Sequence, residues 1–406
     1  MLSRVFYGWF VVAAAFAISF VGFGSAYTFS AFVESLQTNF AASRGSVSLV
    51  FSLAGFLYFG LGVISGPLAD RYGARRLSLI GMVLVGLGLE FAGMARTLAE
   101  VYVAYGLGVG LGVGFSYVPV LGAVQRWFVK RRGFASGIAV SGIGVGTLVM
   151  PPLAAFLIAT WGWRYAYAVL GILSIVVGVG MAFFIEDDPR GRQLAPDGES
   201  LPLDSEEKFS DFSLQAAMKS RQFACLYAAC LICSFGMFVP FVHLIPYALD
   251  HGIPRSSAVL LLGAMGIGST IGRFFLGGMA DRLGRERALL IMFLCMAFSL
   301  LIWFFAFAFW QLSTFALLYG VFYGGFVAIL PALVMDYFGG RNVSSIIGML
   351  YTSIAFGTLM GPSAAGFAFD ASHSYSLPII GSALVNVMAA CIVLSMPKPP
   401  MNNVTT

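Results

Sequence analysis

Residues 66–76 read Gly66-Pro-Leu-Ala-Asp70-Arg71-Tyr-Gly73-Ala-Arg-Arg76. The chain returns to this pattern 211 residues later, as Gly277-Gly-Met-Ala-Asp281-Arg282-Leu-Gly284-Arg-Glu-Arg287. The same offset relates Gly114-Phe115 to Gly325-Phe326, Lys130 to Arg341, Gly137 to Gly348, Gly146 to Gly357, Pro151 to Pro362 and Phe156 to Phe367. One offset serving so many separate positions predicts two halves of one fold, related by a parallel repeat. Each copy of the motif stands between two long apolar runs. Asp, Arg and Gly at such a junction suit a helix that leaves lipid for water.

The rest of the composition explains the setting. Of 406 residues, 59% are hydrophobic and 10% charged, against about 25% charged in soluble domains. Mean hydropathy is +0.90. The 23 basic and 18 acidic residues are too few to cover a soluble fold of this size. A soluble enzyme, a disordered tail protein and a disulfide scaffold are excluded on those grounds. Apolar runs fall at 8–36, 45–69, 76–95, 98–125, 133–160, 164–185, 222–249, 256–280, 287–308, 311–336, 342–369 and 375–396. About 20 apolar residues carry a helix across a ~30 Å hydrocarbon layer. Backbone groups in hydrocarbon must be satisfied internally, so these twelve runs are helices. The first is too long for a signal-peptide core and reads as the first membrane helix. The fold class is an all-α membrane protein with twelve transmembrane helices. The polar stretch Glu186 to Arg221 divides it into a six-helix bundle over 1–185, a linker over 186–221 and a six-helix bundle over 222–406. Within the linker, Ser213 to Met218 fits a short interfacial helix.

The net charge of +5 and the pI near 9.0 invite a nucleic-acid partner. The placement of the charges argues otherwise. With a cytoplasmic N-terminus, eighteen of the 23 basic residues fall on the cytoplasmic side, among them Arg4, Arg71, Arg75, Arg76, Arg126, Lys130, Arg131, Arg132, Lys208, Arg282, Arg285 and Lys398. This is the positive-inside pattern, with both termini and the linker cytoplasmic. Arg44, Arg96, Arg164 and Arg255 lie outside. One base remains, Arg273, in the middle of the eighth run.

The loop Gly-x-Leu-Ala-Asp-Arg-x-Gly-x-Arg-Arg resembles the loop motif of the major facilitator superfamily. Trp127-Phe128-Val-Lys130-Arg131-Arg132-Gly-Phe-Ala135-Ser-Gly137-Ile-Ala139-Val-Ser-Gly142 resembles a more specific motif, that of the monocarboxylate transporters between helices 4 and 5. Tyr7-Gly8-Trp9 is similar to a weaker motif at the start of helix 1. The resemblance covers the whole chain. It implies two pseudo-symmetric six-helix bundles, alternating access, and proton-linked transport of short monocarboxylates such as lactate and pyruvate. Oxalate:formate antiporters are bacterial relatives, and the chain reads as a bacterial member of the inner membrane.

Arg273 is the leading site residue. A guanidinium within hydrocarbon is costly and faces a cavity or a partner. Its helical neighbours Gly266, Ser269, Thr270 and Gly277 form a small, polar face suited to line a cavity. A guanidinium fork binds a carboxylate bidentately. The alternative is a structural arginine satisfied by carbonyls. Its position also matches the substrate-binding arginine that the resemblance implies on helix 8. Two departures accompany it. The animal transporters carry an Asp one turn before that arginine, where this chain has Ser269. They also carry a helix 1 Lys, where this chain offers Tyr27, Thr28 and Phe29. Helix 11 of the oxalate antiporters has a Lys, whereas Ile346 to Phe369 contains no base. A single buried cation suits a monoanion.

His243 titrates near pH 6.5 when unperturbed, so it is either a proton carrier and pocket residue or a hydrogen-bonded packing histidine. Under the repeat it stands where the first half has Phe32. Glu90 is a carboxylate inside the third run and a further proton-coupling candidate, as is Arg273. Tyr27, Tyr117, Tyr323 and Tyr351 lie deeper than an interfacial belt and can donate to a carboxylate. Leu57 and Phe356 are expected to limit substrate size. Asp70, Arg71, Asp281 and Arg282 read either as a latch between the halves or as ordinary cytoplasmic loop charges.

Other signals are weaker. Cys230 and Cys233 spell C-x-x-C within an apolar run and suit helix packing better than redox or zinc chemistry. Gly106-x-Gly108-x-Gly110-x-Gly112-x-Gly114 follows no strand, so a dinucleotide fingerprint is rejected in favour of close helix approach. No P-loop, metal spacing or intramembrane nucleophile–base set is evident. The expectation is therefore a carrier without enzymatic activity, cofactor or metal. It cotransports a small monocarboxylate, lactate-like, with a proton across the bilayer, without nucleic acid and as a monomer. The alternative is an organic anion antiporter of the oxalate:formate type.

Overall fold

A computed structural model describes residues 6–42, 44–198, 212–372 and 374–397. Arg4, Lys208 and Lys398 lie outside these described residues. Helices make up nearly all of the described chain, and no strand occurs among those residues.

Among the described residues, eleven helices are long and apolar enough to cross a membrane. They are α1 (Gly8–Tyr27), α3 (Ala74–Met94), α4 (Leu98–Trp127), α5 (Arg132–Trp161), α6 (Trp163–Ala182), α7 (Arg221–Asp250), α8 (Ser256–Leu283), α9 (Arg285–Phe304), α10 (Phe309–Phe338), α11 (Val343–Phe369) and α12 (Ser376–Leu394). The second apolar run becomes α2, a pair of helices, Leu49–Gly60 and Gly62–Tyr72, bent by 40° at Leu61. Counted as one span, the pair makes the number twelve. A short helix Phe29–Phe40 extends α1 beyond Thr28. Leu214–Lys219 is the short linker helix, capped where Ala216 N–H donates to Ser213 Oγ at 3.2 Å.

The large apolar side chains that stay exposed, such as Phe275, Phe367, Leu377 and Leu384, project from the outside of the bundle. A lipid solvent accepts such a surface and water does not. The motif glycines explain two helix ends. Gly73 (φ 93°) and Gly284 (φ 89°) stop α2 and α8 at corresponding places in the repeat. A side chain there would be strained, because L-residues rarely adopt that conformation.

Two seams join the helices before the linker to those after it, and both are built on glycine. Along α5 and α8, a Cβ on Gly137 would lie 2.2 Å from the Arg273 carbonyl oxygen. One on Gly144 would lie 2.4 Å from Thr270 Oγ1. Along α2 and α11, a Cβ on Gly348 would lie 1.8 Å from the Gly62 carbonyl oxygen. Without a hydrophobic drive between helices in lipid, such close backbone approach supplies the van der Waals contact that holds them.

The linker fastens to the ends of both groups of helices. Asp187 Oδ1 accepts from Ala74 N–H at 2.6 Å and so caps α3. Asp197 Oδ2 accepts from Val129 N–H and Lys130 N–H, at 2.9 and 2.8 Å. Trp127 Nε1 donates to the Glu186 carbonyl at 2.8 Å. On the far side of the linker, Phe212 N–H donates to Phe338 O at 3.0 Å and Asn342 Nδ2 donates to Phe212 O at 3.0 Å.

Candidate substrate site

Arg273 is 0% exposed, the most enclosed cation among the described residues. It sits on the middle of α8, where α5 and α10 both approach the helix closely. A Cβ on Gly272 would lie 1.9 Å from the Val321 carbonyl of α10. The guanidinium is thus fixed at its root. Its Nη1 donates to Ser269 Oγ, one turn earlier. Its Nε and Nη2 have no hydrogen-bond partner among the described residues. An unpaired buried donor on a charged group costs more than the ~1–3 kcal/mol of a neutral one. A carboxylate would remove that cost.

Tyr323, Tyr117, Tyr27 and Tyr351 all lie within electrostatic range of the guanidinium. The Arg273 Cζ stands 5.5 Å from the centre of the Tyr323 ring. The Tyr27 and Tyr323 rings both pack on Phe241 of α7, with centroids 6.0 and 5.1 Å away. The Tyr117 and Tyr351 rings stack with centroids 5.8 Å apart and 14° between planes.

Tyr27, Tyr117, Tyr323 and Tyr351 line a small chamber, together with Phe23, Phe59, Ile143, Met237, Phe238, Phe326, Val327, Leu330 and Ile354. In this conformation it encloses about 10 Å³, room for roughly one water, so a ligand enters only when the walls part. The wall is apolar apart from the phenols. Arg273 is not among the lining residues: it stands behind Tyr323, whose ring centre is 5.5 Å from its Cζ.

The structure does not bring every expected residue there. Phe356 is 46% exposed and its ring meets Phe56 at 5.9 Å, away from the cavity. Leu57 packs on α4 at Gly110, where a Cβ would touch its own Cβ at 2.9 Å. Phe59 and Ile354, each two positions away and so on the opposite helix face, take the wall positions. His243 is half-buried, with Nε2 2.9 Å from the Pro362 carbonyl of α11 and its ring 5.6 Å from that of Tyr375. Glu90 faces α6, where a Cβ on Gly171 would lie 3.0 Å from its Oε1. Gly266, Thr270 and Gly277 do not line the chamber, because α5 occupies that face of α8 through Gly144 and Gly133. Of the expected small face, Ser269 alone is seen to contact the Arg273 side chain. The aromatic walls Phe23, Phe59, Phe238 and Phe326 carry no sequence signal, since aromatic residues occur throughout the chain.

Beyond the chamber, at the linker end of the bundle, charges cross between the halves. Asp70 accepts from Ser345 N–H at 2.9 Å and from Ser345 Oγ at 2.6 Å, at the N-terminus of α11. It also pairs with Arg126. Asp281 pairs with Arg285 at 2.6 Å and lies against the start of α5, where a Cβ on Gly133 would be 2.5 Å from its Oδ1. Carboxylates are favoured at helix N-termini by the helix dipole. Asp336 joins Arg285 and, at 3.6 Å, Arg132. The bases in this arrangement are Arg126, Arg132 and Arg285. Arg71 is exposed and lies over the Tyr72 ring at 5.2 Å, and Arg282 is exposed. Cys230 and Cys233 are both fully buried in α7.

The profile of the Major Facilitator Superfamily matches residues 14–247 and again 224–406. Similar curated proteins include monocarboxylate transporter 12-B of Danio rerio, 27% identical over 96% of this chain and 87% of its own length. Monocarboxylate transporter 11 of Mus musculus is 28% identical over 97% of this chain and 88% of its own length. Monocarboxylate transporter 2 of Mesocricetus auratus is 28% identical over 94% of this chain and 82% of its own length.

Proposed function

This chain belongs to the Major Facilitator Superfamily, and from that premise we propose that it carries small monocarboxylate anions of the lactate or pyruvate kind by alternating access. The observation that supports this most is Arg273, fully enclosed with two nitrogens unpaired among the described residues. The substrate carboxylate docks on those nitrogens, and the phenols of Tyr27, Tyr117, Tyr323 and Tyr351 supply further donors. The names of the most similar relatives point the same way. The linker end of the bundle is the cytoplasmic end, in the plasma membrane. Asp70 and Asp281 are the latch that keeps that end shut while the site faces outward.

Transport is linked to a proton. An anion taken with one proton crosses without net charge, which avoids work of about 2.3 kcal/mol per charge per 100 mV. Anion exchange is the second reading, and one observation favours it. The described residues lining the chamber include no carboxylate and no imidazole. Exchange of one monoanion for another is also electroneutral and needs only Arg273. Uptake of labelled L-lactate into vesicles separates the two. Uptake driven by an inward proton gradient is expected for symport. Uptake that ignores the gradient and requires internal anion establishes exchange, and no uptake of any small monocarboxylate ends the proposal.

A further inference from the structure

Between the chamber and the linker-end latch, four buried side chains have polar atoms without a hydrogen-bond partner among the described residues. They are Ser65 on α2, Gln125 on α4, Ser136 on α5 and Ser344 on α11. All four are 0% exposed, and both polar atoms of the Gln125 amide are unpaired. Other buried hydroxyls of these helices return to their own backbone, as Ser116 of α4 does to Gly112 O at 3.0 Å and Thr147 of α5 to Ile143 O at 2.8 Å.

Close helix contacts link their positions. A Cβ on Gly122 of α4 would lie 2.0 Å from Ser344 Oγ, and one on Gly66 of α2 would lie 2.3 Å from Ser344 O. Gln125 is one turn beyond Gly122. Arg132 Nε donates to the Gln125 carbonyl at 3.3 Å and so ties the start of α5 to the same place. Ser136 is one turn into α5 from Arg132 and adjoins Gly137, which touches the Arg273 backbone. On α11, Ser344 shares a face with Tyr351, seven residues and about 10 Å farther along. Ser344 thus adjoins the Ser345 that Asp70 holds, and Ser136 adjoins the glycine that meets Arg273, so their helices span the way from Arg273 to Asp70.

We propose that Ser65, Gln125, Ser136 and Ser344 form a second carboxylate subsite, which takes the anion from Arg273 as it leaves through the linker end. When Asp70 releases Ser345 the seam opens, and three hydroxyls and an amide become available beside the Arg132 guanidinium. Neutral donors near a cation bind a carboxylate weakly enough to release it. The latch closes over unpaired polar groups, which are costly to bury, so the closed state is held lightly. That this ligand is a monocarboxylate rests on the function proposed above.

The test uses the full-length protein in sealed vesicles of known sidedness. With Gln125→Cys, a membrane-impermeant thiosulfonate added from the linker side should label well above wild type, and sodium L-lactate should slow that labelling. Gln125→Leu combined with Ser344→Ala should raise the apparent KM from the linker side about fivefold more than that from the opposite side, the loss of one neutral hydrogen bond. Gln125→Asn, which keeps the amide, should restore most of it and shows that the fold survives a change there. Absence of labelling from the linker side overturns the subsite, as does an equal change of KM on both sides. If wild type carries no L-lactate, the substrate reading fails, and linker-side labelling still decides whether this group lines the exit.

Discussion

A guanidinium enclosed on every side, with Nε and Nη2 unpaired among the described residues, can be tested by shape alone. Arg273→Lys keeps the charge and removes the planar fork. Uptake at low substrate should fall about 10- to 100-fold, the range of a charge-assisted hydrogen bond lost, while the protein remains folded by size-exclusion chromatography. Near-normal uptake would take Arg273 out of the site. His243→Phe should behave oppositely. Its imidazole meets Pro362 and Tyr375 rather than the chamber. The expected result is an unchanged pH profile of uptake with a lower melting temperature; a lost acid limb would give the imidazole a proton-carrying role. Arg273 and the four tyrosines are legible in the sequence because polar groups are rare in an apolar run. Phe59 and Ile354 are not. They differ from Leu57 and Phe356 only in helix face, and an all-apolar helix carries no periodicity to tell the faces apart.

At the level of the helix, the seams depend on missing side chains. A Cβ on Gly348 would enter the Gly62 carbonyl at 1.8 Å, and backbone cannot swing away as a side chain can. Gly348→Ala should therefore force α2 and α11 apart, with a loss of stability of about 1–3 kcal/mol by the cost of overpacking. A thermal shift in detergent measures it, and an unchanged melting temperature would mean that the helices meet differently. The repeat that relates Gly137 to Gly348 marks both seams from the sequence, because each glycine stands at the same place in its half. Which helix each glycine faces is not marked. The sequence pattern points Gly266, Thr270 and Gly277 at a cavity, and packing gives them to α5. The bend at Leu61 in α2 likewise has no proline to announce it.

At the scale of the molecule, the charged ends of the helices are tied together by the linker. Glu186 bonds Arg192 at 2.7 Å and Arg75 at 3.3 Å, and Arg192 lies 3.5 Å above the Tyr7 ring. The hydrogen bond from Arg192 holds the Glu186 carboxyl below its ordinary range, with burial opposing and the charges of Arg192 and Arg75 assisting. A carboxyl so depressed contributes stability above its unfolded pKa and loses it as pH falls through the lower, folded value. Because Arg192 is partly exposed, the contribution is about 0.2–1 kcal/mol. Glu186→Gln should lower the melting temperature slightly at pH 7 and not at pH 3; an equal effect at both would assign it to packing. The same helix that carries Arg273 also presses its backbone on α5 at Gly137. Under the function proposed above, the seam between the halves and the anchor for the substrate are one piece of polypeptide. A change of cargo engineered at Arg273 is then expected to change turnover along with preference, and an inhibitor that grips this guanidinium to act as a brake as well as a plug.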